Sequence, residues 1–266
     1  MHWNEFHDGA QVYKHFSGIA DRIRSGSLEI GRKSYALSLS IGVFTAIICK
    51  YPKIVAVEFG VGRGGGLLDL CAAAHFFRNE VGIEIDVYGL DRGIGLPAPN
   101  DHRDHPELWN AGEFKNNDIE GLKAKLPDFA HLVIGDIAET VPKFRSILGQ
   151  QARLGFVSID VDQYSSTMDA LKILRLDRQC YLPVVPMYFD DLMLNMATYN
   201  AWCGEALAIE HFNRDSEFRK IQATPFFAAV TKVGPKAAGC QILDHPLRSG
   251  EEVLRMDFSL RSLRTF

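Results

Sequence analysis

The chain has 266 residues, 47% of them hydrophobic and 23% charged, with a formal net charge of −4. That length and balance suit a single soluble domain with a sizeable core. The mildly acidic charge, with no long basic run, gives no reason to expect nucleic-acid binding. The five cysteines are scattered and include no CxxC pair, which fits the reduced thiols of a cytoplasmic protein better than a disulfide framework or a zinc site.

In chain order, Met1 to Glu5 lack the basic-then-apolar pattern of a secretory signal. Residues 1–53 read as an amphipathic helical extension ending at Pro52. The longest apolar run, Ala36 to Cys49, is interrupted by Ser38, Ser40, Gly42 and Thr45 and is too short to span a bilayer, so it is expected as a buried helix and not as a membrane segment. Strand and helix signals then alternate. Strands are expected at Ile54–Phe59, Ile83–Leu90, His131–Ile134, Gly155–Ile159 and Tyr181–Phe189, with helices at Leu67–Arg78 and over roughly 118–126, 137–149, 165–176 and 192–212. Such alternation predicts an α/β fold with a mostly parallel, doubly wound sheet. No linker composition marks a second domain, so residues 1–266 are expected as one unit: the extension (1–53), a core (54–245) and a tail (246–266).

The richest segment is Val55-Ala56-Val57-Glu58-Phe59-Gly60-Val61-Gly62-Arg63-Gly64-Gly65-Gly66. It reads as a buried strand, a glycine turn and an immediate helix, an arrangement that brings backbone N–H groups close to a small polar ligand. Gly60-x-Gly62-x-x-Gly65 satisfies the dinucleotide pattern, so a nicotinamide-dependent oxidoreductase is one reading. Glu58 argues against it, because a carboxylate beside a pyrophosphate would repel it, whereas a cofactor with a cationic end would be attracted. The pattern Glu58-x-Gly60-x-Gly62-x-Gly64 resembles the first motif of class I S-adenosylmethionine methyltransferases, whose cofactor carries an ammonium and a sulfonium. Asp91, at the end of the second strand, is placed to accept two ribose hydroxyls, and Asp136 to approach the adenine amine. A turn or cap is the plain alternative for each.

The strands end at acidic residues: Asp91, Asp136, Asp160 and the pair Asp190-Asp191. A single one is as readily a helix N-cap. Five carboxylates on one rim of an open α/β sheet, where ligands bind, are harder to assign to capping. Asp160 and Asp190 close adjacent strands, and converging carboxylates call for a neutralising cation. Oxygen-only donors favour Mg²⁺, with Ca²⁺ or Mn²⁺ as alternatives, over zinc.

The segment Asp160-x-Asp162-x-Tyr164-x-Ser166-Thr167 with Ala170-Leu171, followed by Asp190-Asp191, is similar to the macrocin O-methyltransferase group of Mg²⁺-dependent class I methyltransferases. The resemblance runs from about Glu29 to His245, where Ile242 to Pro246 looks like the family's last strand and its exit. It departs from the family at Val161, at Pro183-Val184-Val185-Pro186 and at Leu192. It implies a Rossmann-like fold, S-adenosylmethionine bound by Glu58, Gly60, Gly62, Gly64, Asp91 and Asp136, and metal held by Asp160, Asp190 and Asp191. Asp160 would also assist deprotonation of an acceptor hydroxyl on a small molecule or sugar.

Residues 93–117 form a Gly-, Pro-, Asp- and His-rich insertion outside that pattern. His102, Arg103 and His105 are placed to form a lid, with His102 as a candidate catalytic base; a solvated loop is the plain alternative. Trp109 is a candidate for stacking on a substrate, and Glu29 and Tyr35 for closing over the cofactor. The extension either covers the cofactor or forms a homo-oligomer contact. Three rivals stand beside a metal-assisted O-methyltransferase: a metal-independent enzyme with an amine acceptor, the oxidoreductase, and a binding module that kept the fold and lost the chemistry.

Overall fold

The computed structural model describes residues 2–148, 152–192, 200–223 and 236–252. After a short 3-10 turn at Trp3–Glu5, helix α1 spans Gly9–Ser25. Asp8 caps it by accepting from the Gln11 N–H (2.8 Å), and Gly26 ends it in the left-handed conformation. Its buried positions Val12, Phe16, Ile19, Ala20 and Ile23 follow helical spacing, which gives one apolar stripe. Helix α2, Lys33–Ile48, has no such stripe; it is apolar around its circumference and almost wholly buried. It lies on the sheet at backbone distance, because a Cβ on Gly42 would stand 2.0 Å from the Gly155 carbonyl oxygen. The apolar run is thus a core helix, and no helix among the described residues is long and apolar enough to cross a membrane.

The sheet has seven strands in the order β3-β2-β1-β4-β5-β7-β6. They are β1 (Lys53–Phe59), β2 (Glu84–Asp91), β3 (Ala130–Ile134), β4 (Arg153–Ile159), β5 (Val184–Phe189), β6 (Arg219–Gln222) and β7 (Ala237–Ile242). The first five pair in parallel, while β7 runs antiparallel to β5 and β6. The expected mostly parallel, Rossmann-like sheet is what forms. The order reverses between β1 and β4, so a crevice opens there beyond the strands' carboxyl ends.

Helix α3 (Gly65–Val81) follows the glycine turn, and the shorter α4 (Ile119–Lys123), α5 (Ile137–Thr140), α6 (Tyr164–Ala170) and α7 (Gly204–Asp215) come later. Three predicted helices are shorter than expected, that over 118–126 being confined to Ile119–Lys123. That over 137–149 changes to a 3-10 turn at Val141–Ser146, where Pro142 lacks an N–H for the α-ladder. That over 165–176 changes to one at Leu171–Arg175. The expected strand from Tyr181 starts at Val184, and Tyr181 makes only an isolated bridge to Leu154. Strand β6 carries no readable alternation, having one buried residue, Ile221, at the sheet edge. Of the predicted helix over 192–212, residues 193–199 lie outside the described residues, as do residues 253–266 of the tail.

Side-chain alternation along β1 decides where the site's first carboxylate goes. Val55, Val57 and Phe59 pack on one face of the sheet, with Phe144, Leu171 and Phe212. Ile54 and Ala56 pack on the other, beneath α1, α2 and α3. Glu58 falls on this second face by the period of two, so an ionisable side chain is delivered beneath those helices.

A candidate functional site at the ends of the parallel strands

A cleft of about 680 Å³ opens at the switch point, lined by the glycine turn, Arg32, Glu58, Asp91, Asp160 and Asp190-Asp191, among others. The sheet ladder runs on past the strand ends and sets this rim. The Gly60 N–H donates to Leu90 O (3.0 Å), Asp160 to Phe59 O (2.9 Å) and Asp190 to Ile159 O (3.0 Å).

Each glycine of the turn serves a different need. Gly60 has φ +84°, and a Cβ there would lie 1.6 Å from the Asp160 carbonyl oxygen, so it permits close approach of two strand ends. Gly62 has φ +50° and nothing closer than 3.9 Å to its missing Cβ; its open side lies on the cleft wall. Gly64 is a correction to the expected cofactor contact. It is not on that wall, and the space above its Cα is filled by Leu122, 2.4 Å from the missing Cβ. Its φ of +93° shapes the start of α3.

Asp91 holds the turn in place. Its Oδ2 accepts from the Val61 and Gly62 N–H groups (both 2.9 Å), and its Oδ1 accepts from the Gly93 N–H (2.5 Å). It lines the cleft as expected for a ribose contact, but much of its acceptor capacity already serves backbone amides. Asp136 is used differently from the expected adenine contact. It caps α5 by accepting from the Ala138 N–H (3.0 Å) and stands 3.9 Å from Arg92, and the cleft wall passes through its neighbour Ile137 instead.

Glu58 is 1% exposed. Its Oε1 accepts from the Tyr35 hydroxyl (2.9 Å), which in turn accepts from Ser158 Oγ (2.7 Å) and Arg32 Nη1 (3.2 Å). Its Oε2 is buried with no partner. Burial, reinforced by the Asp160 charge and opposed by the Tyr35 bond, pushes the Glu58 carboxyl up to about 8. Glu58 lines the cleft, and a buried carboxylate oxygen without a donor beside it fits a cationic group. Tyr35 thus reaches the site from α2 as expected, whereas Glu29 is exposed. Arg32 carried no sequence signal; a lone arginine in a helical extension looks like any solvated charge.

At the other end of the cleft the carboxylates face one another. Asp160 pairs with Arg32 (3.3 Å), and burial together with the Asp190 charge raises it to about 6 against the pull of Arg32. Asp190 accepts from the Tyr188 hydroxyl (2.7 Å) and stands 3.6 Å from Lys236. Asp162, held at φ +62°, hydrogen-bonds Asp191, and burial plus the neighbouring charges raise both. Glu205, wholly buried at the start of α7, accepts from the Asp191 N–H (3.0 Å) and is also raised by burial. Asp191 Oδ2 and Glu205 Oε1 are buried without partners. Sequence reading missed Glu205, which lies near no strand end. Among the described residues, no group of three or more His, Cys, Asp or Glu side chains is spaced to hold a metal ion as it stands.

The insertion is clamped over the rim. Asp104, 1% exposed, accepts from the Ser165 N–H (2.7 Å), Ser165 Oγ (3.0 Å) and the Asn100 N–H (2.8 Å), and Gln163 Nε2 donates to the Pro97 carbonyl (3.0 Å). His102 is a second correction. It is exposed, and neither its place in the 3-10 turn nor the cavity walls bring it to the cleft. The buried histidine of the loop is His105, whose Nδ1 lies 2.7 Å from Glu107. His105 lines a small cavity of about 20 Å³ with Asp162, Asp191 and Glu205, and Trp109 borders both cavities.

The architecture is similar to that of CalS11, a calicheamicin methyltransferase, at 18% identity over 87% of this chain and 91% of that one, with a TM-score of 0.54. It is also similar to the O-methyltransferase NovP, at 17% identity over 79% of each chain, with a TM-score of 0.51. No family model matches the sequence, and no curated protein matches it. What these likenesses establish is the fold: the chain has the Rossmann-like architecture of these methyltransferases.

Proposed function

We propose that the protein is an S-adenosylmethionine-dependent methyltransferase acting on a hydroxyl group of a small molecule, with Mg²⁺ assistance. The observation that carries it is Glu58 Oε2, buried and partnerless beside the glycine turn and the start of α3. An ammonium would supply the missing donor there and draw the carboxyl into its ionised form, whereas the pyrophosphate of a nicotinamide cofactor would favour neither. The bound cofactor supplies an electrophilic methyl on a sulfonium. The chain's own work is positional: α3 and Glu58 anchor one end, Asp91 rigidifies the turn, and the clamped insertion shields the reacting groups from water.

Asp160 lines the acidic end of the cleft, and its carboxylate, ionised above about pH 6, could take the proton of an acceptor hydroxyl bound there. The donor chemistry at Asp160, Asp190 and Asp191 suits Mg²⁺, since all are oxygens and Asp191 Oδ2 lacks a partner. A hard cation there would lower the hydroxyl pKa. A metal-independent version is favoured by a separate observation, because Arg32 and Lys236 already bring positive charge to Asp160 and Asp190. The acceptor class, including a sugar, rests on sequence resemblance.

Calorimetric titration with S-adenosylhomocysteine and with NADH tests the cofactor. We expect the former to bind and the latter not; binding of NADH alone overturns the proposal. Mg²⁺ titration of the S-adenosylhomocysteine complex tests the metal, and absence of any binding heat or affinity shift leaves the metal-independent version.

A further inference from the structure

The N-terminal extension reaches the cleft through Arg32, the residue before α2. Its backbone N–H is tied to Asp69 Oδ2 of α3 (3.1 Å), which fixes its base. Its Nη1 donates to the Tyr35 hydroxyl (3.2 Å) and Asp160 Oδ2 (3.3 Å). These contacts use one nitrogen of a five-donor fork, and the side chain keeps 39% of its surface exposed on the cleft wall. A Cβ built on Gly66 would lie 3.4 Å from Arg32 Nη1 and 2.1 Å from Glu58 Oε1. The guanidinium and the carboxyl therefore meet over the first turn of α3.

Three demands converge at that point. The leading N–H groups of a 17-residue helix favour an anion. The guanidinium favours a carboxylate, which it can grip with two donors. The partnerless Glu58 Oε2 favours a cationic donor. A group bearing an ammonium and a carboxylate on one carbon satisfies all three at once; a nucleotide phosphate satisfies the first two and leaves the Glu58 oxygen without a donor.

We infer that Arg32, together with the start of α3, holds the carboxylate of the cofactor's amino-acid tail while Glu58 takes its ammonium, so that the N-terminal extension completes the cofactor site. This rests on the S-adenosylmethionine reading above. The same guanidinium holds Asp160, so one cation serves both the tail and the acceptor end of the cleft.

The test is calorimetry on the full chain with three probes: S-adenosylhomocysteine, its decarboxylated analogue, which lacks only the carboxylate, and 5′-methylthioadenosine, which lacks the whole tail. In Arg32→Gln, S-adenosylhomocysteine affinity is expected to fall 10- to 100-fold while the other two change less than 3-fold. Arg32→Lys should recover part of the loss, and circular dichroism and melting of both variants report folding. Equal weakening of all three probes would show that Arg32 merely supports the Tyr35–Glu58 network and would overturn the inference, as would unchanged S-adenosylhomocysteine affinity. If the parent chain binds methylthioadenosine but gains nothing from the tail, the tail assignment fails while the nucleoside site stands. If it binds none of the three, the cofactor reading itself fails and the inference falls with it.

Discussion

The two ends of the cleft hold their carboxylates in opposite ways. At the glycine turn, Asp91 is satisfied by three backbone N–H groups, and Glu58 has one oxygen held by a tyrosine and the other without a partner, so the groups there are set by the main chain and a buried core helix. At the acidic end, Asp160, Asp162, Asp190, Asp191 and Glu205 crowd one another, balanced by Arg32, Lys236 and protons held by the upshifted carboxyls. The first end is organised before any ligand arrives; the second stores repulsion that an added cation or a removed charge would release.

The largest expected effect separates two glycines of one turn. Gly60→Ala forces a Cβ into the Asp160 backbone and should cost more than about 4 kcal/mol in urea denaturation. Gly62→Val meets open space and should cost only about 1–2 kcal/mol from its positive φ, yet weaken S-adenosylhomocysteine binding by roughly 100-fold or more. If both glycines behaved alike, the turn would not divide into a packing half and a ligand half.

The second prediction concerns pH. Glu58 is raised from 4.5 to about 8 in the folded chain, so between those values the unfolded chain has lost a proton that the folded chain keeps. Stability is therefore fully present below pH 4.5 and falls as pH rises towards 8. Glu58→Gln should remove from the stability profile a decline on the order of 5 kcal/mol across that window, and should weaken S-adenosylhomocysteine binding. An unchanged profile would show that Glu58 is ionised throughout.

The acidic end should respond the other way. Asp191→Asn removes one charge from a crowded set and is expected to raise stability at pH 7 by about 1–2 kcal/mol, abolish Mg²⁺ binding and leave S-adenosylhomocysteine affinity within a few fold. Destabilisation instead would mean that the Asp162–Asp191 hydrogen bond outweighs the repulsion. Asp104→Ala removes two hydrogen bonds between the insertion and α6 and one within the insertion, and should cost about 1–3 kcal/mol, visible as faster hydrogen exchange confined to residues 93–117 and the start of α6. The smallest effect is expected for Asp136→Ala. Loss of its cap bond should cost about 1 kcal/mol with S-adenosylhomocysteine affinity unchanged. A tenfold loss of affinity would instead restore Asp136 to the adenine site.

Much of the fold was legible because its signals are local. Runs such as Val55–Phe59, mostly apolar on both faces, mark a covered parallel strand, and each is followed by a helix pattern. Strand β6 was not legible because Arg219–Gln222 is polar apart from Ile221, and its pairing is decided by β7 some twenty residues on. The rim aspartates were legible as a set, but their separate roles were not. Asp91 and Asp136 look alike in sequence, and only the path of the following backbone makes one a clamp for the glycine turn and the other a helix cap. His102 and His105 differ by three positions, and the clamping of Asp104 on Ser165 leaves one exposed and buries the other.

The sequence by itself determined the alternating strands and helices, the glycine turn and the row of carboxylates, because periodicity, backbone freedom and strand ends are properties of neighbouring residues. The tertiary structure decided which carboxylates are paired, crowded or left open. Arg32 and Glu205 belong to the site through contacts across 128 and 14 residues of chain, and no local pattern encodes them. A buried charge is governed by what surrounds it in space, and that is settled only when the helices close over the sheet.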